Sequence, residues 1–190
     1  NPYHYWDEIN AELPHRKITF YGPPTSSGTR DAFEELAMMS AAKTMDIYTS
    51  LYKADETANK KYKKYHEVRQ DGVYVPSGEN DNLIVQKLTK DTEALGIFGY
   101  SYLAENSDRI AAATIAGVAP SPESVQSGEY KLSRSLYFYI KNSHIEKVPG
   151  MKTFVELFTS EQMVGDDGAC TDIGLIALPE EMRENYRCQA

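Results

Sequence analysis

"KITFYGPPTSSGTRDAFEELAMMSAAKTM" (Lys17–Met45) decides the architecture. Its first six residues alternate in the manner of a strand, and the proline, glycine and hydroxyl residues that follow can only be a turn or loop. From Asp31 the residues are good helix formers, with Phe33, Leu36, Ala37 and Ser40 on one face and early acids that suit a helix N-terminus. The unit is strand, tight loop, helix.

The loop invites comparison with the nucleotide P-loop, G-x-x-x-x-G-K-[ST], and fails it. Gly22 and Gly28 are separated by five residues, and Thr29-Arg30 stands where lysine and a hydroxyl residue are required. The physics of anion capture survives that failure. Hydroxyls, a glycine permitting close backbone approach and the N–H groups at a helix start together form an oxyanion cradle. Ser26, Ser27, Gly28 and Thr29 lie where the helix should begin, and Arg30 adds a charged donor able to make two parallel bonds. Helix capping by Ser27 or Thr29, with Gly28 merely turning the chain, accounts for the same residues. The loop alone leaves both readings open.

Outward from this unit, "ADETANKKYKKYHEVRQ" (54–70) predicts a helix whose lysines form a solvated face, and "GENDNLIVQKLTKD" (78–91) predicts a turn into a helix capped by Asn80 or Asp81. "GIFGYSYL" (96–103), "RIAAATIAGV" (109–118) and "SRSLYFYIK" (133–141) read as strands. "GMKTFVELFTSEQM" (150–163) reads as an amphipathic helix, and a last helix is predicted to start near Pro179. Strands alternating with helices imply an α/β sheet covered by helices.

Composition narrows the function. The net charge of −8 argues against general binding of nucleic acid, which needs many Lys and Arg. The histidines, His4, His15, His66 and His144, are scattered without HxxxH or HExxH spacing, and two cysteines cannot build a thiolate zinc site, so no metal or cofactor is expected. Cys170 and Cys188 fit either one disulfide or two free thiols. There is no G-x-S-x-G elbow, so no catalytic residue is assigned and an enzyme is not expected. No apolar stretch is long enough to span a bilayer. The first residue is Asn1, which suggests a processed, cleaved or truncated chain, so the lack of a leader argues nothing about compartment.

"GPPTSSGTRDAFEEL", "RQDGVYVPSGENDNLIVQKL", "ALGIFGYSYLAENSDRI" and "SRSLYFYIKNSHIEKVPGMKTFVELFTSE", preceded by the tryptophan-containing "YWDEINAELPHRKI", resemble in order and spacing the phosphate-binding proteins of bacterial ABC transporters. The resemblance implies a periplasmic-binding-protein-like α/β lobe, a mixed sheet flanked by helices, with a C-terminal segment that normally completes the other lobe. On this basis residues 1–130 form a second-lobe-like domain with 1–16 as lead-in, and 131–190 are the return segment. The family's Ser-Gly-Thr phosphate contacts fall on Ser27, Gly28 and Thr29. Its arginine a few residues earlier is replaced here by Pro23, which makes Arg30 the candidate substitute. Asn80, Asp81 and Asn82 match a segment near the cleft, with cap and turn duties as the alternative.

Family members are longer, so the chain is expected to lack the N-terminal part of the first lobe, to bind phosphate weakly alone, and to self-associate through an exposed apolar edge at 133–141. The expected partners are inorganic phosphate and a membrane permease, and the expected location is the periplasm. A non-catalytic interaction module on the same fold that has lost its ligand is the competing reading, and a phosphate-ester hydrolase is a third.

Overall fold

The computed structural model describes residues 2–51 and 66–189. Three short strands form a parallel sheet in the order β2-β1-β3, where β1 is Phe20–Gly22, β2 is Tyr74–Pro76 and β3 is Leu95–Gly96. Phe20 aligns with Tyr74 on one side and with Leu95 on the other. The sheet in the described residues is thus parallel rather than mixed. By the right-handed rule for parallel crossovers, the step from β1 to β2 and the step from β2 past β1 to β3 run in opposite directions across the sheet, which assigns their connections to opposite faces. The crevice of such a sheet opens at the carboxyl ends of its strands.

Helical structure after β1 is continuous from Gly28 to Lys43, with a π-helical stretch at Glu34–Met39 inside it. The helix Asp46–Leu51 follows. The helix expected over 54–70 lies mostly outside the described residues, and residues 66–70 form turn and irregular chain. The helix Asp81–Leu88 packs on the sheet through Ile84, which is fully buried, and Val85, joining Ile18, Val73 and Tyr74 in one core. The lead-in is stitched to this core: the Ile18 N–H donates to the His4 carbonyl (2.8 Å), and the Trp6 ring lies 6.2 Å from that of Phe20.

Three expected strands are corrected. Only Leu95–Gly96 at the head of "LGIFGYSYL" is strand, and Tyr100–Glu105 is helix. "RIAAATIAGV" is irregular, with one isolated bridge between Ile115 and Val118 around Ala116 and Gly117, both at positive φ. Ser133–Lys141 form neither helix nor strand. β-propensity expresses packing against neighbours, and among the described residues these segments join no sheet.

The chain divides into two compact units: residues up to Tyr102 with Asn106–Ala111, and Leu103–Glu105 with residues from Ala112 onward. The second unit contains the helices Pro122–Gln126, Met151–Phe158, Glu161–Val164, Ala169–Asp172 and Glu180–Gln189. Arg183 ties it together. Its buried guanidinium bonds Glu161 Oε2 (3.0 Å), Asp166 Oδ2 (3.1 Å) and the Leu178 carbonyl, while Gln126 donates to the Ala177 carbonyl (2.9 Å). Cys170 is buried, Cys188 is exposed, and both are free thiols.

Candidate anion-binding site

Because β1, β2 and β3 run parallel, the loops that leave them emerge at one edge of the sheet, and each leads into a helix. The first loop leaves Gly22 and enters the helix at Gly28, with Ser27 as N-cap. Ser27 Oγ accepts from the Thr29 N–H (3.2 Å). The capping role expected as an alternative is therefore present. It does not exhaust the side chain, since a hydroxyl that accepts one bond still has its own proton to donate. Ser26 and Gly28 are exposed, and Ser27 and Thr29 are half-buried, so this hydroxyl group borders solvent.

The second loop leaves β2 at Pro76, and together they are bonded to β1 and the first loop in three places. The Ser77 N–H donates to the Gly22 carbonyl (2.8 Å), Ser26 Oγ donates to the Glu79 carboxylate, and Tyr74 Oη donates to the Pro23 carbonyl (2.6 Å). Gly78 turns the chain at φ +89°, with Leu83 Cδ1 already at 3.0 Å from where a Cβ would stand. Asn80 caps the helix Asp81–Leu88, its Oδ1 accepting from the Asn82 N–H (3.0 Å); Asn80 and Asn82 are exposed.

Asp81 is buried and binds the third loop: its Oδ2 accepts from the Gly99 N–H (2.9 Å). Burial holds its carboxyl above the ordinary value, against the pull of that N–H. The structure thus brings the Ser26–Thr29 loop beside the 77–82 loop through named bonds, and places Asp81 behind them as a brace between the second and third loops.

Arg30 is turned inward. It is 2% exposed, its Nε donates to Glu34 Oε1 (2.6 Å), its Nη2 reaches the Val68 carbonyl (3.4 Å), and its guanidinium lies over the Tyr74 ring, 4.4 Å from the centroid. Burial opposes its charge, but Glu34 and Tyr74 more than offset that and hold its pKa above the ordinary value. Lys87, the cation near the second loop, donates to Ser77 Oγ (3.0 Å) and lies over the Tyr21 ring. Both cations are engaged within the protein, so the exposed donors of the first loop are uncharged.

Ser26 belongs to the hydroxyl group expected at the helix start, whereas Tyr74 and Glu79 do not stand out in the sequence. Ser26 is the residue before the cap and Glu79 the residue before Asn80, so their places in the two loops were legible; their contact was not. In the second unit, a surface depression lined by Glu161, Gln162, Gly165, Asp166 and Asp167 is acidic and suits no anion.

The sequence profile of the PBP superfamily domain matches residues 4–162. The chain belongs to the PBP superfamily. Among relatives of this PBP chain are the phosphate-binding protein PstS of Staphylococcus haemolyticus, 30% identical over 182 residues, and protein SphX of Synechocystis, 28% identical over 185 residues. Each alignment covers 93% of this chain but 46% and 45% of the relative, so the chain spans about half the length of the curated relatives it matches. Among solved structures, one described as a "possible phosphate binding protein" from Planctomyces limnophilus aligns over 100% of this chain and 58% of its own, with 26% identity and a TM-score of 0.63. PstS from Borrelia burgdorferi, at 20% identity and TM-score 0.58, shares the fold. The superfamily is one of binding domains, and this PBP chain is not an enzyme.

Proposed function

We propose that this chain contributes to the binding of inorganic phosphate as part of the substrate-binding component of a phosphate ABC transporter, outside the cytoplasmic membrane and in the periplasm where the cell has one. The observation that carries the reading is the Ser26–Thr29 loop: uncharged donors at the carboxyl edge of a parallel sheet, beside a helix start, in a chain whose relatives are named for phosphate. Ser27, Thr29 and the backbone at Gly28 donate to the anion. Arg30 supports them from behind, holding Tyr74 and through it the Pro23 carbonyl. Asn80 and Asn82 border the same edge. No bond of the ligand is made or broken.

The lobe division at residue 130 and the pairing of the assembled protein with a membrane permease belong to this proposal. Among the described residues no helix is long and apolar enough to cross a membrane.

Isothermal calorimetry with phosphate, arsenate and sulfate tests it. Phosphate and arsenate should release heat at a common site and sulfate should not, and Ser27→Ala should weaken phosphate binding by about tenfold, the worth of one good hydrogen bond to a charged group. Equal binding of sulfate, or an unchanged affinity in Ser27→Ala, overturns the proposal.

A further inference from the structure

Where the first two loops meet at the carboxyl edge of the sheet, they are joined by a bond whose acceptor is an anion. Ser26 Oγ donates to Oε1 of Glu79, and both residues are exposed. Ser26 directly precedes Ser27, Gly28 and Thr29, so a carboxylate is held beside the donors assigned to phosphate. The loop therefore already holds an oxyanion, supplied by the protein itself. Among the described residues Glu79 makes no ion pair. The cations that serve these loops are committed elsewhere, Arg30 to Glu34 and Lys87 to Ser77 Oγ. The charge of Glu79 thus faces the site without a cation bound to it.

We propose that Glu79 is an internal competitor of the anion: its carboxylate and a phosphate cannot both take the Ser26 proton, and phosphate entering beside Glu79 must push it aside. This rests on the phosphate reading above and adds to it a residue that holds affinity down. A serine hydroxyl has a single proton to donate, and an ionised carboxylate can only accept. Two anions brought side by side repel each other, most strongly where no cation stands between them. The displacement itself is cheap, because the bond lies at the surface and water takes the place of either partner. A binding protein that delivers its ligand must also release it, and a tethered carboxylate that returns to Ser26 as phosphate leaves speeds that release. A bond that merely braced the two loops would act in the opposite sense, since its loss would loosen the donors and weaken binding.

Calorimetric titration of inorganic phosphate into the wild-type protein and three variants tests it. Glu79→Gln removes the charge and keeps an acceptor for Ser26, while Glu79→Ala removes both. Each should tighten phosphate binding by about threefold or more, the scale of one unit charge acting at a wetted surface, with Glu79→Ala at least equal to Glu79→Gln. Glu93→Gln changes the net charge by the same unit just before β3, at the opposite edge of the sheet, where Glu93 pairs with Arg16 (3.2 Å), and should leave the affinity unchanged. Phosphate binding that is unchanged or weaker in Glu79→Gln, weaker in Glu79→Ala, or equally tightened by Glu93→Gln overturns the inference and leaves the phosphate reading standing. No phosphate binding in the wild type or in any variant overturns that reading, and the inference with it.

Discussion

Arg30 and Glu34 illustrate how far a single residue can be read in isolation. The i, i+4 spacing that pairs them is visible in the sequence, and such pairs on an exposed helix contribute only a few tenths of a kcal/mol. In the structure the pair is buried, with Glu34 also accepting the Val68 N–H (3.0 Å), so its loss has larger consequences. Arg30→Met should destabilise the chain by about 3 kcal/mol in urea denaturation, because it strands a carboxylate with little solvent. Arg30→Met combined with Glu34→Gln should recover most of that loss. If Arg30 acts from behind the loop, as proposed, the double variant retains phosphate binding; if its guanidinium touches the anion, stability returns and affinity does not. The direction of Arg30 could not be read from sequence, since Tyr74, the ring it lies on, is more than forty positions along the chain.

At the level of elements, the strand-loop-helix unit at the start of the chain and the capped helix after Asn80 were legible, because each carries its own turn and cap chemistry within a few residues. The failures share a cause. "SRSLYFYIK" and "RIAAATIAGV" have strand composition, but a strand is defined by a partner, and sequence does not reveal whether one is present. "GIFGYSYL" departs from strand where Gly99 leads into the helix Tyr100–Glu105: the Asp81 carboxylate holding the Gly99 N–H comes from a separate element. The join between β1 and β2 makes a further prediction. A Cβ at Gly22 would stand 2.2 Å from Tyr74 Oη and 2.7 Å from Cζ, and that ring is fixed by Pro23 and Arg30. Gly22→Ala should therefore lower stability by about 2 kcal/mol, the usual scale for overpacking. Adding Tyr74→Phe should restore part of it, since the oxygen is the nearest obstacle; thermal or urea unfolding of the two variants provides the comparison.

For the molecule as a whole, charge sets the terms on which an anion approaches. The chain carries −8 net, and the donors offered at the loop are neutral, so phosphate is drawn in by local hydrogen bonds and not by the overall field. Raising salt from about 0.02 to about 0.5 M should change the phosphate Kd less than about threefold and, if anything, tighten it, because screening removes repulsion. A site driven by exposed Lys or Arg would weaken steeply over the same range, and titrations at several salt concentrations separate the two. The sheet has a consequence in time as well. Phe20 must find Tyr74, 74 − 20 = 54 positions away, and Leu95, 95 − 20 = 75 positions away, before any ladder exists. Closing the second loop costs only roughly 0.3 kcal/mol more than the first, so neither edge of β1 is strongly favoured to pair first. Both contacts are distant, and distant contacts slow folding. Refolding of the first unit should therefore be paced by the pairing of β1 with its two distant neighbours.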